Sequence, residues 1–182
     1  MNSFRSLTFA VLSTVFIFCG CEEKIKPSVI SSVNSQTLPQ QESWNSTIVV
    51  SDSGRIRAII RAGYIRVYES SQMTEMSQGV RVRFFDSEGR QSSYLTSDEG
   101  NVDEVTNNLE AHKNVVVVSS DSSRLKTENM LWDNRRQLIY TPKDEYVEIT
   151  TPKEKLQGRG FESDQYLRNY RVFRVTGESR AE

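Results

Sequence analysis

Apolar side chains along most of this chain recur at every second position, in runs of about four to eight residues that end in Asp, Asn, Gly or Ser. Period-two alternation sends successive side chains to opposite faces, so the pattern predicts strands with one face toward a core and tight polar connections between them. The stretch Arg124 to Pro142 shows the plan most fully. Leu125, Thr127, Asn129 and Leu131 alternate with Lys126, Glu128, Met130 and Trp132, Asp133-Asn134 interrupts, and Arg135 to Tyr140 resumes as a second run. That is a predicted hairpin. A two-stranded ribbon alone is marginal in water, so the hairpin has to be one unit of a stack.

The same reading extends in both directions. Ile48 to Ser51 is a brief β-branched run before the turn Ser51-Asp52-Ser53-Gly54. Ile56, Ala58, Ile60 and Ala62 then share one face, Gly63 follows, and the apolar parity changes to Ile65 and Val67, which predicts a bulge or bend at the glycine. Ser70 to Gln78 is polar apart from Met73 and Met76 and reads as an irregular or single-turn helical excursion. Val80, Val82 and Phe84 restore the alternation, and Asp86 to Gly89 turns the chain. Gln91 to Ser97 forms the next run and Asp98-Glu99-Gly100 the next turn. Val102, Val105, Leu109, Ala111 and Val115 to Val118 continue the series, separated by Asn107-Asn108 and Lys113-Asn114. The four consecutive valines predict a strand buried on both faces, or one with a face toward an apolar ligand. Glu145 to Thr150 alternates again, Gly158 to Asp164 reads as a loop or distorted strand, and Asn169 to Val175 closes the series. With roughly ten to twelve short strands and no helix of ordinary length, the fold class is all-β, as sandwich, barrel or open roll.

The N-terminus departs from this pattern. Arg5 precedes an uncharged apolar run from Leu7 to Phe18 that ends in Phe18-Cys19-Gly20-Cys21. The run falls short of the ~20 apolar residues that span a bilayer and has the form of an export signal. A small residue directly before a cysteine at the end of such a run resembles the lipobox of bacterial lipoproteins. Cys21 fits better than Cys19, because Gly20 is small and Phe18 is not. Residues 1–20 are therefore expected to be a signal peptide, with Cys21 acylated. The alternative is an ordinary signal peptide that leaves Cys21 a free thiol. Residues 21–43, rich in Ser, Gln, Pro and Asn, read as a flexible linker reaching ~25 Å root-mean-square, and residues 44–182 as the folded domain. With Cys19 in the signal peptide and Cys21 acylated, no cysteine remains to pair, so the fold must stand on its core.

Composition narrows the function classes. Charged residues make up 26% of the chain with a formal net charge of −1, which argues against a nucleic-acid partner. His112 is the sole histidine, beside Lys113 and Asn114, so metal clusters and His-based catalytic pairs have nothing to build on, and no cofactor is implied. Asp98/Glu99, Asp103/Glu104 and Asp144/Glu145 sit at or beside turns, where acidic residues are ordinary, so they do not read as a hydrolytic pair and no enzyme activity is expected. Arg55, Arg57, Arg61, Arg81 and Arg83 alternate with apolar residues as a solvated strand face does.

The segment from Gln91 to Asp133, with its Asp-Glu-Gly turn, valine run and LKTENMLWD, and the closing LQGRGFESDQYLRNYRVFRVTGE together resemble the OstA-like repeat of the lipopolysaccharide transport proteins. The nearest resemblance is to the LptC family, in a lipoprotein form, over about Gly79 to Gly177. Each motif alone is only a strand-and-turn pattern. The resemblance implies an antiparallel β-jellyroll, open as a V, with acyl chains of lipopolysaccharide held in an apolar groove. It implies a non-catalytic role, periplasmic and anchored by lipid to the inner membrane. The inner-membrane transporter LptBFG is the expected partner at the N-terminal edge and an LptA-like bridge protein at the C-terminal edge, joined by strand pairing. Well-known members carry a transmembrane helix where this chain has a lipobox.

On that resemblance the groove is assigned to Ile56, Ala58, Ile60, Val80, Val82, Phe84, Leu95, Val115, Val117, Leu125 and Leu131. The partner edge is assigned to Gly160, Arg171, Phe173 and Val175. Gly160 matches a glycine of the family's closing motif where a side chain could block the partner, and it also reads as a plain bulge glycine. For each groove residue the alternative is a closed core. The arginines above have as their alternative a contact to lipid A phosphates. The other function class is a structural or interaction lipoprotein whose closed β-sandwich binds a protein or glycan.

Overall fold

A computed structural model of the protein describes residues 38–180. It contains eleven strands in one antiparallel sheet: β1 (Gln41–Asp52), β2 (Arg55–Tyr68), β3 (Met73–Phe85), β4 (Gln91–Ser97), β5 (Glu99–Asp103), β6 (Asn108–Ser119), β7 (Arg124–Asp133), β8 (Leu138–Tyr140), β9 (Tyr146–Thr150), β10 (Glu154–Asp164) and β11 (Tyr170–Arg180). The hydrogen-bonded order is β1-β2-β3-β4-β6-β7-β8-β10-β11, with β5 inserted between β3 and β6, and β9 between β7 and β10. β4 pairs with the C-terminal ends of β3 and β6, whereas β5 pairs with their N-terminal ends. β9 and β8 divide β7 and β10 in the same way. Each long strand thus belongs to two half-sheets.

The half-sheets are folded against each other. Glu154 and Ser163 lie nine residues apart on β10, and Tyr170 pairs directly with Ser163. In a flat sheet that places Tyr170 about 30 Å from Glu154, yet its hydroxyl donates a hydrogen bond to the Glu154 carboxylate. Phe84, near the end of β3, and Trp132, near the end of β7, have ring centroids 6.5 Å apart, although β4 and β6 lie between their strands. The sheet is therefore a jellyroll of two layers joined along one crease. The first layer holds the C-terminal parts of β1, β3, β6 and β11, the N-terminal parts of β2, β7 and β10, and β4 and β9; the second holds the rest. The hairpin turns form two rims opposite the crease.

The crease follows a line of special backbone positions. Asn45 on β1 has φ 50°, Gln78 and Gly79 on β3 have φ 61° and 87°, Lys113 and Asn114 on β6 have φ 63° and 53°, and Gly160 on β10 has φ 70°. On β2 the crossing is Gly63, at a register shift between Ala62 and Tyr64, where a Cβ would lie 2.6 Å from the Gln78 carbonyl. Strands cross by two devices. β2 and β7 change parity, from Ala58, Ile60 and Ala62 to Ile65, and from Leu125 and Thr127 to Met130. β3 and β6 insert two left-handed residues and keep theirs, with Met76 and Val80 both buried and Ala111 and Val115 both buried. Polar groups hold the line together. Gly79 N–H donates to Asp98 O (3.2 Å), Asp98 N–H to Lys113 O (3.0 Å), Asn114 Nδ2 to Asp98 Oδ2 (2.7 Å) and Asn129 Nδ2 to Glu145 Oε2 (2.9 Å).

Several boundaries differ from those the pattern predicts. β1 begins at Gln41, inside the expected linker. Met73 to Gln78 is strand rather than an irregular excursion, because Thr74 and Met76 face inward as part of β3. Asp98 and Lys113-Asn114 are crease positions and not turns between separate hairpins, so β6 runs unbroken through the latter. Gly158 to Asp164 is strand, distorted by a register shift at Gln157/Gly158 and by the left-handed Gly160, so of the two expected forms it takes the distorted strand.

Gly160 shows how tightly the crease is built. Its N–H donates to Glu145 O at 2.9 Å, and an added Cβ would lie 2.9 Å from Lys143 O and 3.1 Å from the Phe173 ring. Gly54, with φ 77°, has open space around it. Gly160→Ala is expected to lower stability by about 2–4 kcal/mol, conformational strain plus overpacking, and Gly54→Ala by about 1–2 kcal/mol, strain alone. Chemical denaturation midpoints check this; equal losses would contradict the packing described.

Candidate functional site

The inner faces of the two layers form one contiguous apolar cluster. From the first layer come Ala58, Ile60, Val80, Val82, Leu95, Val115, Val117 and Leu125, all 7% exposed or less, with Val147 and Ile149 from β9. From the second come Ile65, Met76, Leu109, Ala111, Met130, Ile139 and Phe161. Eight of the eleven residues assigned to a groove from sequence thus line the inside of the first layer. Phe84, on the same face of β3 as Val80 and Val82, packs against that cluster, and the other two lie elsewhere. Phe84 is half-buried near the rim, where it meets Trp132. Ile56 is 44% exposed at the outer end of β2. Leu131 is half-buried on the face opposite Met130, because β7 changes parity after Thr127 with no glycine to mark the change. The second layer's inner residues, and Val147 and Ile149 of β9 in the first, were absent from that assignment, although the Ile65 and Val67 run after Gly63 and the alternation of β9 carried the signal for some of them.

This interior is shut along the rims. The β10–β11 turn on the second-layer rim places Leu167, with φ 55°, in the apolar cluster at 1% exposed. Its neighbours reach the opposite rim: Arg168 lies close enough to Asp121 to help lower the Asp121 pKa, whose main cause is a hydrogen bond from the Ser119 hydroxyl. Tyr170 completes the closure through Glu154. Burial first, then that hydrogen bond and the Glu154 charge, push the Tyr170 hydroxyl up to about 12. Two inward serines sit near the rims, Ser93 on β4 and Ser163 on β10. Both hydroxyls are buried without a hydrogen-bond partner, which carries a free-energy cost in a packed interior.

The two ends of the stack are open edges. Among the described residues β1 pairs only with β2 and β11 only with β10, so each leaves one row of backbone N–H and C=O groups facing outward. Large exposed apolar side chains gather there: Trp44, Val49 and Val50 on β1, Ile56 on β2, and Phe173 and Val175 on β11. Arg171, also outward, pairs with Glu162 at 3.6 Å and lies over the Phe173 ring. Gly160, assigned to this edge from sequence, lies one strand in, on β10, where β11 covers it. His112 Nδ1–H donates to Asn129 Oδ1 at 2.9 Å beside the crease, and among the described residues no group of three acidic, His or Cys side chains is placed to hold a metal. Cys21 lies outside the described residues.

The Tyr170 contact gives the closure a pH signature. Its folded value of about 12 lies above the unfolded 10, so its contribution is complete below pH 10 and is lost as pH rises toward 12. Between about pH 9 and about pH 11.5 the wild type is expected to lose more stability than Tyr170→Phe, read from denaturation midpoints at each pH. Parallel losses in the two proteins would contradict a rim closed by this hydroxyl.

A sequence model of the LptC family, described as lipopolysaccharide-assembly, LptC-related, matches residues 9–175. No individually curated protein matches the chain. The matched span takes in β1 to β10 and β11 as far as Val175. That span covers most of the chain, and the chain is a member of the LptC family of lipopolysaccharide-assembly proteins.

Proposed function

We propose that this protein binds the acyl chains of lipopolysaccharide between its two layers and passes the lipid along the stack, without catalysing a reaction. LptC-family membership puts it in lipopolysaccharide transport in the periplasmic envelope. The observation that carries the finer reading is the continuous apolar interior, which extends across the stack from β2 to β10 and reaches toward both free edges. Acyl chains in water cost ~0.8 kcal/mol per CH₂, and a trough open at both ends removes that cost at each step. The lipid enters by parting the rims, displacing Leu167 and separating Phe84 from Trp132. Ser93 and Ser163 then gain partners among the ester, amide and hydroxyl groups near the head of the lipid.

The β1 edge is the proposed contact for the inner-membrane transporter LptBFG, and the β11 edge, with Arg171, Phe173 and Val175, the contact for an LptA-like bridge protein. Strand addition suits both, since each has an unpaired backbone row beside exposed apolar side chains. Acylation of Cys21 would hold the domain at the inner membrane through the segment before β1. Among the described residues no helix is long and apolar enough to cross a membrane.

A closed-core interaction lipoprotein is the second reading, and the full burial of Leu95, Leu125 and Val147 is the observation that favours it. A photo-crosslinking side chain placed at Leu95 or Val147 in the full chain, in cells making lipopolysaccharide, separates the two. Adducts with lipopolysaccharide at both inner positions and none at the outward Lys126 are expected. Adducts nowhere, in a protein that is folded, would favour the closed core. Ser163→Ala is expected to raise the melting temperature slightly and weaken lipopolysaccharide binding about threefold to tenfold, by removing one hydrogen bond from the complex. For the anchor, Cys21→Ser is expected to abolish the acyl mass on the mature chain and release it from the membrane fraction; an unchanged mass would contradict acylation.

A further inference from the structure

On the outer face of the first layer one row of side chains runs across four strands. Thr47 on β1 is directly opposite Arg61 on β2, Arg61 is opposite Arg81 on β3, and Arg81 is opposite Thr96 on β4. Two guanidinium groups thus stand side by side, flanked by a hydroxyl at each end. Like charges directly across a strand pair repel and destabilise the sheet. Elsewhere on the outer faces such charges have acidic partners: Arg174, directly opposite Arg159, pairs with the Asp144 carboxylate. Arg66 pairs with Glu75 at 2.8 Å, Lys113 with Glu99 at 2.8 Å, Lys155 with Glu148 at 3.0 Å, and Lys126, further along the same row, with Glu148 at 3.7 Å.

Arg61 and Arg81 have no such partner: among the described residues neither makes an ion pair, and neither do the hydroxyls of Thr47 and Thr96 have a hydrogen-bond acceptor. Arg83, next on the same face of β3, stacks over the Phe85 ring and adds positive charge nearby. The crease supplies a hollow beside the pair. A depression of about 450 Å³ is lined by Asn45, Thr47, Arg61, Gly63, Gln78 and Arg81. Its shape follows from the left-handed backbone at Asn45 and Gln78 and from the close approach of Gly63 to the Gln78 carbonyl. The amides of Asn45 and Gln78 are further free donors at its margin.

Planar guanidinium forks match the oxygens of a phosphate two at a time, and threonine hydroxyls and side-chain amides complete the donor set. A carboxylate would satisfy one fork; the two forks with donors on several sides fit a tetrahedral dianion. We propose that the row Thr47, Arg61, Arg81 and Thr96, with the crease hollow beside it, is a binding site for a phosphate ester, presented on a lipid head group or as free phosphate. Bound phosphate cancels the repulsion between the two arginines, so occupancy stabilises the N-terminal half of the sheet. The site lies on the face opposite the apolar interior and does not depend on lipid entering there.

Isothermal titration of the full chain in non-ionic detergent tests it with three probes: inorganic phosphate, dihexanoyl phosphatidic acid, and dihexanoylglycerol as the phosphate-free control. Phosphatidic acid is expected to bind the wild type, with affinity about tenfold or more weaker in Arg61→Gln/Arg81→Gln and intermediate in Arg81→Gln alone. The charge-matched variant Arg135→Gln/Arg136→Gln, on the other layer's rim, is expected to keep wild-type affinity, and circular dichroism confirms that each variant is folded. Binding of inorganic phosphate as tight as that of phosphatidic acid makes free phosphate the source; binding of phosphatidic acid alone makes it the lipid head group. Undiminished binding by Arg61→Gln/Arg81→Gln, equal binding of dihexanoylglycerol, or no binding of either phosphate probe to the wild type would overturn the proposal.

Discussion

The crease is the constraint on which the rest of this structure depends. A sheet of long antiparallel strands has no reason to fold over unless every strand bends at the same height, and a bend in one strand opens the ladder of its neighbour. Here the bends are aligned and cross-linked. Asn45, Gly63, Gln78-Gly79, Asp98, Lys113-Asn114 and Gly160 form one line from the first edge to near the last, tied by backbone hydrogen bonds and by the Asn114–Asp98 and Asn129–Glu145 side-chain pairs, with the Glu128 carboxylate accepting from the Asn114 N–H. Because the line is polar and its backbone is left-handed at several points, the two flanking half-sheets keep their apolar faces turned toward each other. The apolar interior, the two rims and the two free edges all follow from that one fold.

An interior made this way differs from that of a sandwich joined by crossing loops. The layers share a hinge on one side and meet only through turns on the other, so parting them breaks side-chain contacts and leaves the backbone ladders intact. The contacts that close the rims are few and identifiable: Phe84 against Trp132, Leu167 inserted from a turn, Tyr170 on Glu154, and Arg168 near Asp121. Leu167 is held with a left-handed backbone, a conformation with a free-energy cost for a side chain of this kind. A jellyroll that opens at this seam while its ladders persist suits a carrier of acyl chains, and the two unpartnered serine hydroxyls inside fit an interior completed by a ligand.

Strand existence and most inward positions were legible in the sequence because period-two alternation is a direct record of burial. Gly63 announced its parity change, since a glycine at a phase shift marks a bulge or bend in the strand. The change on β7 was not legible: Glu128 and Asn129 continue the alternation in type, so Leu131 appeared to share a face with Leu125. Polar crease residues misled in another way. Asp98 and Lys113-Asn114 have turn chemistry, and they use it to bend strands that continue, which sequence alone does not distinguish from hairpin turns. The pairing of Arg61 with Arg81 depends on register set by the bulge at Gly63, and the closure by Leu167 on a turn conformation that no residue type in it specifies. The groove and edge assignments rested on the resemblance alone, and the match over residues 9–175 bears out the family.

On the proposed route the two rims part to admit lipid while the crease stays shut. Spin labels at Ser122, on the β6–β7 turn, and Gln165, on the β10–β11 turn, report on the rims in a full chain whose cysteines are replaced by serine. A second pair at Val49 and Tyr94, astride the N-terminal strands, reports on the ladders. Pulsed electron resonance with and without lipopolysaccharide is the measurement. A longer rim distance with lipopolysaccharide bound, and an unchanged distance across the ladders, is the predicted result. Lipopolysaccharide bound with the rim distance unchanged would contradict it.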